Sequence, residues 1–435
     1  MKYIKPRDII TFLAVLILFC FALPYLYAQE STPIAQSRQF ERQAIAAYQK
    51  KDYAAYLDYL TQAERLRPNV PRLLYNLASA NALNENFSES LSLLRRIARM
   101  GLDFHPEKDS DFEKLSNVSD FQTILKIFEK NREPRNQSFV PLTLPEKDLI
   151  TESVAYDKKT KRFFIGSVRK GKIVAVEVNG RVKDFSAPTD NLWSVFGIKI
   201  DEKRRILWAC TAAVPQLAGF SKPDEGKSGI FKYDLDSGKL LKKYVLETTE
   251  KHLLGDLVVS RTGDVFATDS IAPVIYRLDS KNNKLEAFLT DKSFVSLQGI
   301  TFSPDEKSLF VADYSTGIFR IDLKTEKVNA VTAGNQITVL GVDGLYYYKG
   351  KLIAIQNGIN PQRVVEFELD SNTASIIGCK IIEANHPDFA EPTLGTIIGG
   401  DFYFIANSQL EAVNQKGEIT DLEKLRSPII LRVPL

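Results

Sequence analysis

The sequence predicts a multidomain fold, in which an N-terminal all-α region of helical repeats precedes an all-β, six-bladed propeller. Three observations support this prediction. Residues 36–133 are rich in Ala, Leu, Arg and Glu, and their apolar positions recur every three or four residues. Residues 139–435 alternate polar and apolar positions between frequent turn signals. Six units of similar pattern recur in this second region, which is typical of a propeller.

Composition narrows the classes of function. The 435 residues are 44% hydrophobic and 26% charged, which provides enough apolar side chains for more than one core. Lys and Arg number 57 against 54 Asp and Glu, a balance that does not indicate nucleic-acid binding by bulk charge. Three Cys and three His exclude a cysteine-rich zinc module, so any metal would be held mainly by oxygen.

Residues 1–28 have the order of a secretory signal peptide. Lys2, Lys5 and Arg7 precede the stretch 9–28, which carries no charge and ends in small residues, and cleavage is predicted after residue 28. We therefore expect an exported protein, periplasmic or secreted. The uncharged stretch is also just long enough to span a bilayer, so an uncleaved anchor is an open alternative. The membrane is an expected partner only in that case.

A period of 34 residues relates the segments of the helical region. It aligns Tyr53 with Phe87 and Leu60 with Leu94, and Pro68 follows the first of these segments. The pattern resembles the tetratricopeptide repeat, whose helix pairs carry an aromatic residue at the start of the second helix and a closing Pro. Two interpretations stay open. The region is either a helical spacer packed on the next domain or a groove that binds a partner protein.

The first strand of each propeller unit begins at an equivalent position. In a propeller, the innermost strands all begin at one face beside the central channel, so these starts converge although they are distant in sequence. We predict six blades, with seven as the main alternative. Either the C-terminal strand after Pro428 or the segment around Phe139 would close the ring. The six predicted strand starts are Glu152, Phe196, Gly255 (followed by Asp256), Gln298, Asp343 and Leu394.

Acidic and amide side chains are frequent among these starts. Glu152, Asp256 and Asp343 would repel one another at a shared opening unless a cation lies between them. With Gln298, they offer only oxygen donors, which suits Ca²⁺ or Mg²⁺ better than metals that prefer His or Cys. The sequence therefore predicts a divalent metal, Ca²⁺ foremost, and a small-molecule ligand at the propeller mouth. The polar residues that end the second strands, Asp269, Asp313 and Asn407, are instead interpreted as turn formers.

The propeller sequence resembles the gluconolactonase, regucalcin and luciferin-regenerating enzyme family of six-bladed propellers. The resemblance lies in the strand start at Glu152, in Gln298-Gly-Ile-Thr-Phe-Ser-Pro-Asp and in Asp343-Gly-Leu. It implies metal ligation by Glu152, Gln298 and Asp343, and hydrolysis of lactones. Three positions depart from the family pattern. Gln298 replaces an Asn, Gly255 replaces an Asn beside Asp256, and Ser153 replaces a Gly.

If the site is catalytic, the resemblance implies metal-assisted hydrolysis of a lactone or ester, with Asp343 as the carboxylate that takes a proton from water. His252 and His386 each precede an innermost strand and are candidates for ligand contact or proton transfer. The alternative is a non-catalytic propeller that binds a ligand or protein, with the helical repeats as an interaction module. Gly255 and Gln298 favour this alternative, whereas Glu152 and Asp343 favour the hydrolase.

Overall fold

Five α-helices and twenty-five β-strands form the described part of the computed structural model, residues 32–414 and 416–435. The predicted signal peptide, residues 1–28, and the alternative anchor, residues 9–28, fall outside these described ranges. Within the ranges, no helix has the length and apolar character needed to cross a membrane.

The N-terminal region is helical, and its helices begin at residues that favour a helix start. Pro33 and Pro71 occupy first positions, where the missing N–H of proline costs no helical hydrogen bond. The side chain of Asp52 accepts a hydrogen bond of 3.1 Å from the N–H of Ala55 and so caps the second helix. The helices are α1 (Pro33–Gln49), α2 (Tyr53–Leu66), α3 (Pro71–Leu83), α4 (Phe87–Arg99) and α5 (Ser119–Arg132).

The 34-residue period coincides with the helix starts. Tyr53 opens α2 and Phe87 opens α4, and the aligned Leu60 and Leu94 are both buried in one apolar core. Burial of a side chain of this size contributes about 1.5–3 kcal/mol, so the core they share with the other helices holds the region together. The structure thus shows packed helices with the predicted spacing.

The second region is a six-bladed propeller, as the sequence predicts. A first strand, β1 (Phe139–Thr143), follows the helices, and blades 1 to 4 are regular four-stranded antiparallel sheets. Blade 1 contains β2 (Thr151–Asp157), β3 (Arg162–Ser167), β4 (Lys172–Val176) and β5 (Val182–Asp184). Blade 2 contains β6 (Ser194–Asp201), β7 (Ile206–Ala212), β8 (Ser228–Asp234) and β9 (Leu240–Val245). Blade 3 contains β10 (Leu254–Val259), β11 (Val265–Asp269), β12 (Val274–Asp279) and β13 (Lys284–Thr290).

Blades 4 to 6 complete the ring. Blade 4 contains β14 (Leu297–Phe302), β15 (Ser308–Asp313), β16 (Gly317–Asp322) and β17 (Val328–Ala330). Blade 5 contains β19 (Val342–Tyr348), β20 (Lys351–Gln356), β21 (Arg363–Leu369), β22 (Ser375–Ala384) and the short parallel β18 (Thr332–Ala333). Blade 6 contains β23 (Gly395–Ile398), β24 (Asp401–Ile405), β25 (Ile429–Pro434) and, at its outer edge, β1.

Both segments proposed to close the ring take part in closing it. In blade 6, β1 pairs with β25, so that Leu142 lies opposite Ile430. The first strand of the propeller region and the last strand of the chain therefore share one sheet, which joins the two ends of the ring through hydrogen bonds. Because this sheet is the sixth, the competing count of seven blades is wrong.

Two of the three polar residues interpreted as turn formers do form turns. Asp313 illustrates the pattern: Oδ1 accepts hydrogen bonds from the N–H groups of Ser315 and Thr316, at 2.9 and 3.0 Å. Asp269 accepts the N–H groups of Ile271 and Ala272 in the same way. Asn407 instead accepts the N–H of Ile429 at 2.7 Å and donates to the carbonyl of Ser427 at 3.0 Å, so it joins two distant segments. The interpretation as turn formers is confirmed for Asp269 and Asp313 and is wrong for Asn407.

One propeller loop that packs against the helical region is residues 357–362, which we call the anchor loop. Ile359 lies against the apolar core of the helices. Asn360 and Asp103 exchange two hydrogen bonds of 2.9 Å: the N–H of Asp103 donates to the carbonyl of Asn360, and Asn360 Nδ2 donates to the carbonyl of Asp103. Backbone polar groups on both sides are thereby satisfied at the interface.

A fully buried arginine follows the anchor loop. The guanidinium of Arg363 donates from Nη1 to the carbonyl of Met100, just after α4, and from Nε to Oε1 of Gln356, both at 2.8 Å. Burial lowers the pKa of Arg363 to about 10, so it still carries its charge at neutral pH. A charged group that is buried away from solvent needs hydrogen-bond acceptors. Because Met100 belongs to the helical region and Gln356 to the propeller, Arg363 links the two regions.

Candidate functional site at the mouth of the channel

The innermost strands β2, β6, β10, β14, β19 and β23 surround a narrow central channel. Neighbouring blades are joined at its mouth, where the N–H of Leu394 donates to the carbonyl of Glu152 at 3.0 Å and the N–H of Gly395 donates to Tyr346 Oη at 2.6 Å. The structure therefore places the six predicted strand starts around one opening. It does not by itself give any of them a role.

Glu152 lies at the start of β2 among other acidic groups. Its Oε1 accepts a hydrogen bond of 3.0 Å from Ser408 Oγ. Burial, followed by the nearby charges of Asp343 and Glu391, holds the pKa of Glu152 well above its ordinary value. A carboxyl group in this environment is stabilised by binding a proton or by a nearby cation.

Asp343, at the start of β19, faces a similar environment. Asn357 Nδ2 donates to its Oδ2 at 2.8 Å, which favours the ionised form. Burial nevertheless outweighs this hydrogen bond and, with the charge of Asp256, raises the pKa of Asp343 to about 7. The side chain is therefore divided between its protonated and ionised forms near neutral pH.

Asp256 lies deeper in the channel and pairs with a lysine. Its side chain is 1% exposed, and Lys199 Nζ lies 3.2 Å from Oδ1. Despite this ion pair, neither carboxylate oxygen accepts a hydrogen bond within the described residues. Gly197 permits the approach, because a Cβ at this position would lie 2.6 Å from the carbonyl of Gly255 and 2.9 Å from Asp256 Oδ1.

Gln298 occupies the corresponding position of blade 4. Its Nε2 donates to Ser296 Oγ at 3.2 Å, and its Oε1 accepts a long hydrogen bond of 3.4 Å from Ser270 Oγ. A Cβ on Gly255 would lie 2.7 Å from that same Ser270 hydroxyl. The longer Gln side chain is thus held by two serines.

The two candidate histidines have partners of their own. His252 Nδ1 lies 2.7 Å from Asp269 Oδ2 and 3.3 Å from Tyr276 Oη, and its ring is buried. His386 Nδ1 accepts the N–H of Asp388 at 3.1 Å, and burial lowers the pKa of its imidazole. Among the described contacts, neither ring reaches Glu152 or Asp343. Both histidines therefore stabilise loops, and contact with a ligand stays a prediction.

Sequence reasoning missed three groups at the mouth. Glu391 precedes β23, and burial raises its pKa to about 7 although the N–H of Glu411 donates to it at 3.0 Å. Tyr314 follows β15, and burial, with the charge of Asp343, raises its pKa. Asn357, which bonds Asp343, follows β20 directly. It could have been found, because an Asp ends the second strands of blades 3 and 4 and Asn407 lies two residues after the second strand of blade 6.

Several solved structures are similar to this chain at low sequence identity. A gluconolactonase from Xanthomonas campestris is 15% identical, with 67% of this chain and 87% of that chain covered and a TM-score of 0.43. A luciferin-regenerating enzyme is 13% identical, with 70% of this chain and 96% of that chain covered and a TM-score of 0.46. Virginiamycin B lyase from Staphylococcus aureus is 15% identical, with 70% of this chain and 100% of that chain covered and a TM-score of 0.44. No family model and no curated protein matches the chain. These likenesses assign no role to any residue.

Carboxylates alone do not provide a complete set of cation ligands at the mouth. Within residues 32–414 and 416–435, no three Asp, Glu, His or Cys side chains are grouped closely enough to hold one metal ion. Amide oxygens extend the donor set: Asn357 Oδ1 is buried beside Asp343 and accepts no hydrogen bond. Ca²⁺ accepts amide, carboxylate and water oxygens together, so the residues fit this ion better than a metal that needs a compact ligand cluster.

Proposed function

We propose that the mouth of the channel binds a divalent cation, Ca²⁺ foremost, together with a small oxygen-rich ligand. One observation carries the proposal. Glu152 lies near enough to Asp343 and Glu391 for their charges to raise its pKa, and none of the three forms an ion pair with a basic side chain in the described part of the chain. Burial, followed by nearby negative charge, raises the pKa of each carboxyl, and a bound cation would stabilise the ionised forms.

Calorimetric titration of the full chain with Ca²⁺ at pH 8 tests this proposal. We expect binding in the wild type and at least tenfold weaker binding in Asp343→Asn and in Glu152→Gln. Asp305→Asn is the matched control, because Asp305 is an exposed carboxylate in the turn after β14, at the other end of the blade. Unchanged affinity in both mouth variants, or no heat and no change of melting temperature in millimolar Ca²⁺, would contradict the proposal.

Hydrolysis of a lactone or ester is a second candidate, favoured by the pKa of about 7 at Asp343 and Glu391. A carboxyl group that titrates near neutral pH can take a proton from water and return it to a leaving oxygen. A bound divalent ion would supply polarisation of the substrate carbonyl. Asp343 is the residue proposed to move the proton, and Glu391 is placed to assist. A panel of lactones and esters, assayed with wild type and Asp343→Asn, tests this candidate.

A non-catalytic binding function has its own support. Gly255 offers no side-chain donor at a strand start, and Ile45 on α1 leaves 48% of its surface exposed on the helical region. We propose that the tetratricopeptide-like helices bind a partner protein in this case. Activity on no lactone or ester, combined with retained Ca²⁺ binding, would favour this function over the hydrolase.

Export remains a proposal from the sequence of residues 1–28. N-terminal sequencing of the protein recovered from its producing cells tests it. A new N-terminus at residue 29 would support cleavage of a signal peptide. An intact N-terminus in the membrane fraction would support the anchor instead.

A further inference from the structure

A cavity of about 270 Å³ lies at the opposite end of the central channel from the acidic mouth. It is lined by the second halves of β2, β6, β10 and β23, whose first residues surround the mouth. Ile200, Val258 and Ile398 provide apolar walls, and Thr396 and Lys199 provide polar groups. The exposed side chains of Lys158 and Glu202 also line the cavity and pair with each other at 3.4 Å. The cavity is therefore separate from the site proposed above.

Lys199 lies in the channel between these two ends. It belongs to blade 2, and its Nζ lies 3.2 Å from Oδ1 of Asp256 in blade 3 and 5.1 Å from the ring centre of Tyr346 in blade 5. Its side chain is only 22% exposed. Neither carboxylate oxygen of Asp256 is in hydrogen-bond geometry to Lys199, and within the described residues Asp256 is the one carboxylate at ion-pair distance from its ammonium. A mostly buried ammonium with three N–H donors thus lines the cavity with a single carboxylate beside it.

The charges around Lys199 restrict what could occupy the cavity. Asp256 already balances the charge of the ammonium, so a neutral acceptor leaves the balance intact. A carboxylate ligand would place two negative charges on one ammonium, and a cationic ligand would face Lys199 directly. The apolar walls favour a hydrocarbon body. At roughly 30 Å³ per small group, the volume holds a molecule of on the order of nine non-hydrogen atoms.

We propose that this cavity binds a small neutral molecule that carries a carbonyl or hydroxyl oxygen. The oxygen accepts a hydrogen bond from Lys199 Nζ, and the apolar body of the molecule contacts Ile200, Val258 and Ile398. The proposal does not depend on cation binding at the mouth, so its test is run in the presence of a chelator.

Three probes with the same six-membered ring test the ligand class by saturation-transfer NMR on the full chain. Cyclohexanone offers a neutral acceptor, cyclohexanecarboxylate an anion and cyclohexylammonium a cation. We expect cyclohexanone to bind at least tenfold more tightly than either charged probe. Tighter binding of a charged probe, or no saturable binding of cyclohexanone up to solubility, would overturn the proposal and leave water as the occupant.

Variants locate the binding. Lys199→Met combined with Asp256→Asn removes the donors while keeping the charge balanced, and should weaken cyclohexanone binding at least tenfold. Ile398→Trp should abolish binding by filling the cavity, and it keeps the test decisive if the double variant does not fold. Lys203→Met, in the exposed turn after β6, is the control and should bind like the wild type. Wild-type affinity in both cavity variants would overturn the proposal.

Discussion

Asn357 donates a hydrogen bond of 2.8 Å from Nδ2 to Oδ2 of Asp343, and it does so from the loop that anchors the helical region. Asn357 Nδ2 also donates to the carbonyl of Pro392 at 3.0 Å, so its amide bridges blade 5 and the segment before blade 6. Two residues further on, Ile359 packs on the helical core. One short loop thus contacts both the candidate site and the neighbouring domain.

Removing this hydrogen bond should raise the pKa of Asp343. The bond from Asn357 stabilises the ionised carboxylate, whereas burial and the charge of Asp256 disfavour it. We therefore predict that Asn357→Ala moves the titration of Asp343 above pH 7, as measured by carbon-detected NMR of the Asp carboxyl groups. Gln362→Ala changes the same loop without touching Asp343 and is the control. An unchanged or lowered pKa in Asn357→Ala would refute the prediction.

The raised pKa values also predict how stability depends on pH. The pKa of Asp343 is about 7 in the folded protein and about 3.9 in an unfolded chain. Between these values the unfolded state loses its proton while the folded state keeps it, so stability falls as the pH rises from about 4 to about 7. Glu391 acts in the same direction.

Asp343→Asn removes one such titration, so its melting temperature relative to the wild type should increase between pH 5 and pH 8, by several degrees. Melting curves recorded in a chelator measure the difference, and Asp305→Asn should follow the wild type at both pH values. A pH-independent difference between Asp343→Asn and the wild type would show that Asp343 does not titrate in this range.

Close contact of the innermost strands requires glycine at position 197. A Cβ there would meet the carbonyl of Gly255 at 2.6 Å and Asp256 Oδ1 at 2.9 Å. Since overpacking of this kind costs about 1–3 kcal/mol, Gly197→Ala should lower the free energy of unfolding by that amount in urea denaturation. Gly334→Ala is the matched control, because a Cβ at 334 meets no atom within 4 Å. Equal stability of the two variants would contradict the prediction.

The sequence predicted the propeller and the ring of strand starts because both depend on local signals. Alternation of polar and apolar residues marks each strand, and a blade is built from strands that are adjacent in sequence. The position of Glu152 beside Leu394 then follows from closure of the ring. What the pattern could not show is the partner of each side chain, as for His252, whose Nδ1 lies 2.7 Å from Asp269 Oδ2.

Residues in irregular segments escaped prediction for a physical reason. Glu391 lies at the mouth on an irregular loop. The path of such a loop depends on how all of its residues pack, and no periodic pattern of apolar residues predicts it. Lys199 carried a usable signal, since a charged residue interrupts the apolar run of an innermost strand between Ile198 and Ile200. The contact of Arg363 with Met100 joins positions 263 residues apart, and no local pattern encodes such a pair.

Arg363 should make the two regions unfold together. Its replacement by Met leaves the carbonyl of Met100 and Oε1 of Gln356 without their buried donor, a loss of about 1.5–3 kcal/mol for hydrogen bonds to a charged group. We predict that Arg363→Met separates two urea transitions that coincide in the wild type. Circular dichroism at a helix wavelength follows the helical region, and fluorescence of the two tryptophans, Trp193 and Trp208, follows the propeller. Arg320→Met, an arginine of β16 outside the interface, should keep the transitions together. A single shifted transition in Arg363→Met would contradict the prediction and mean that the other contacts between the two regions, among them those of Ile359 and Asn360, hold the regions together.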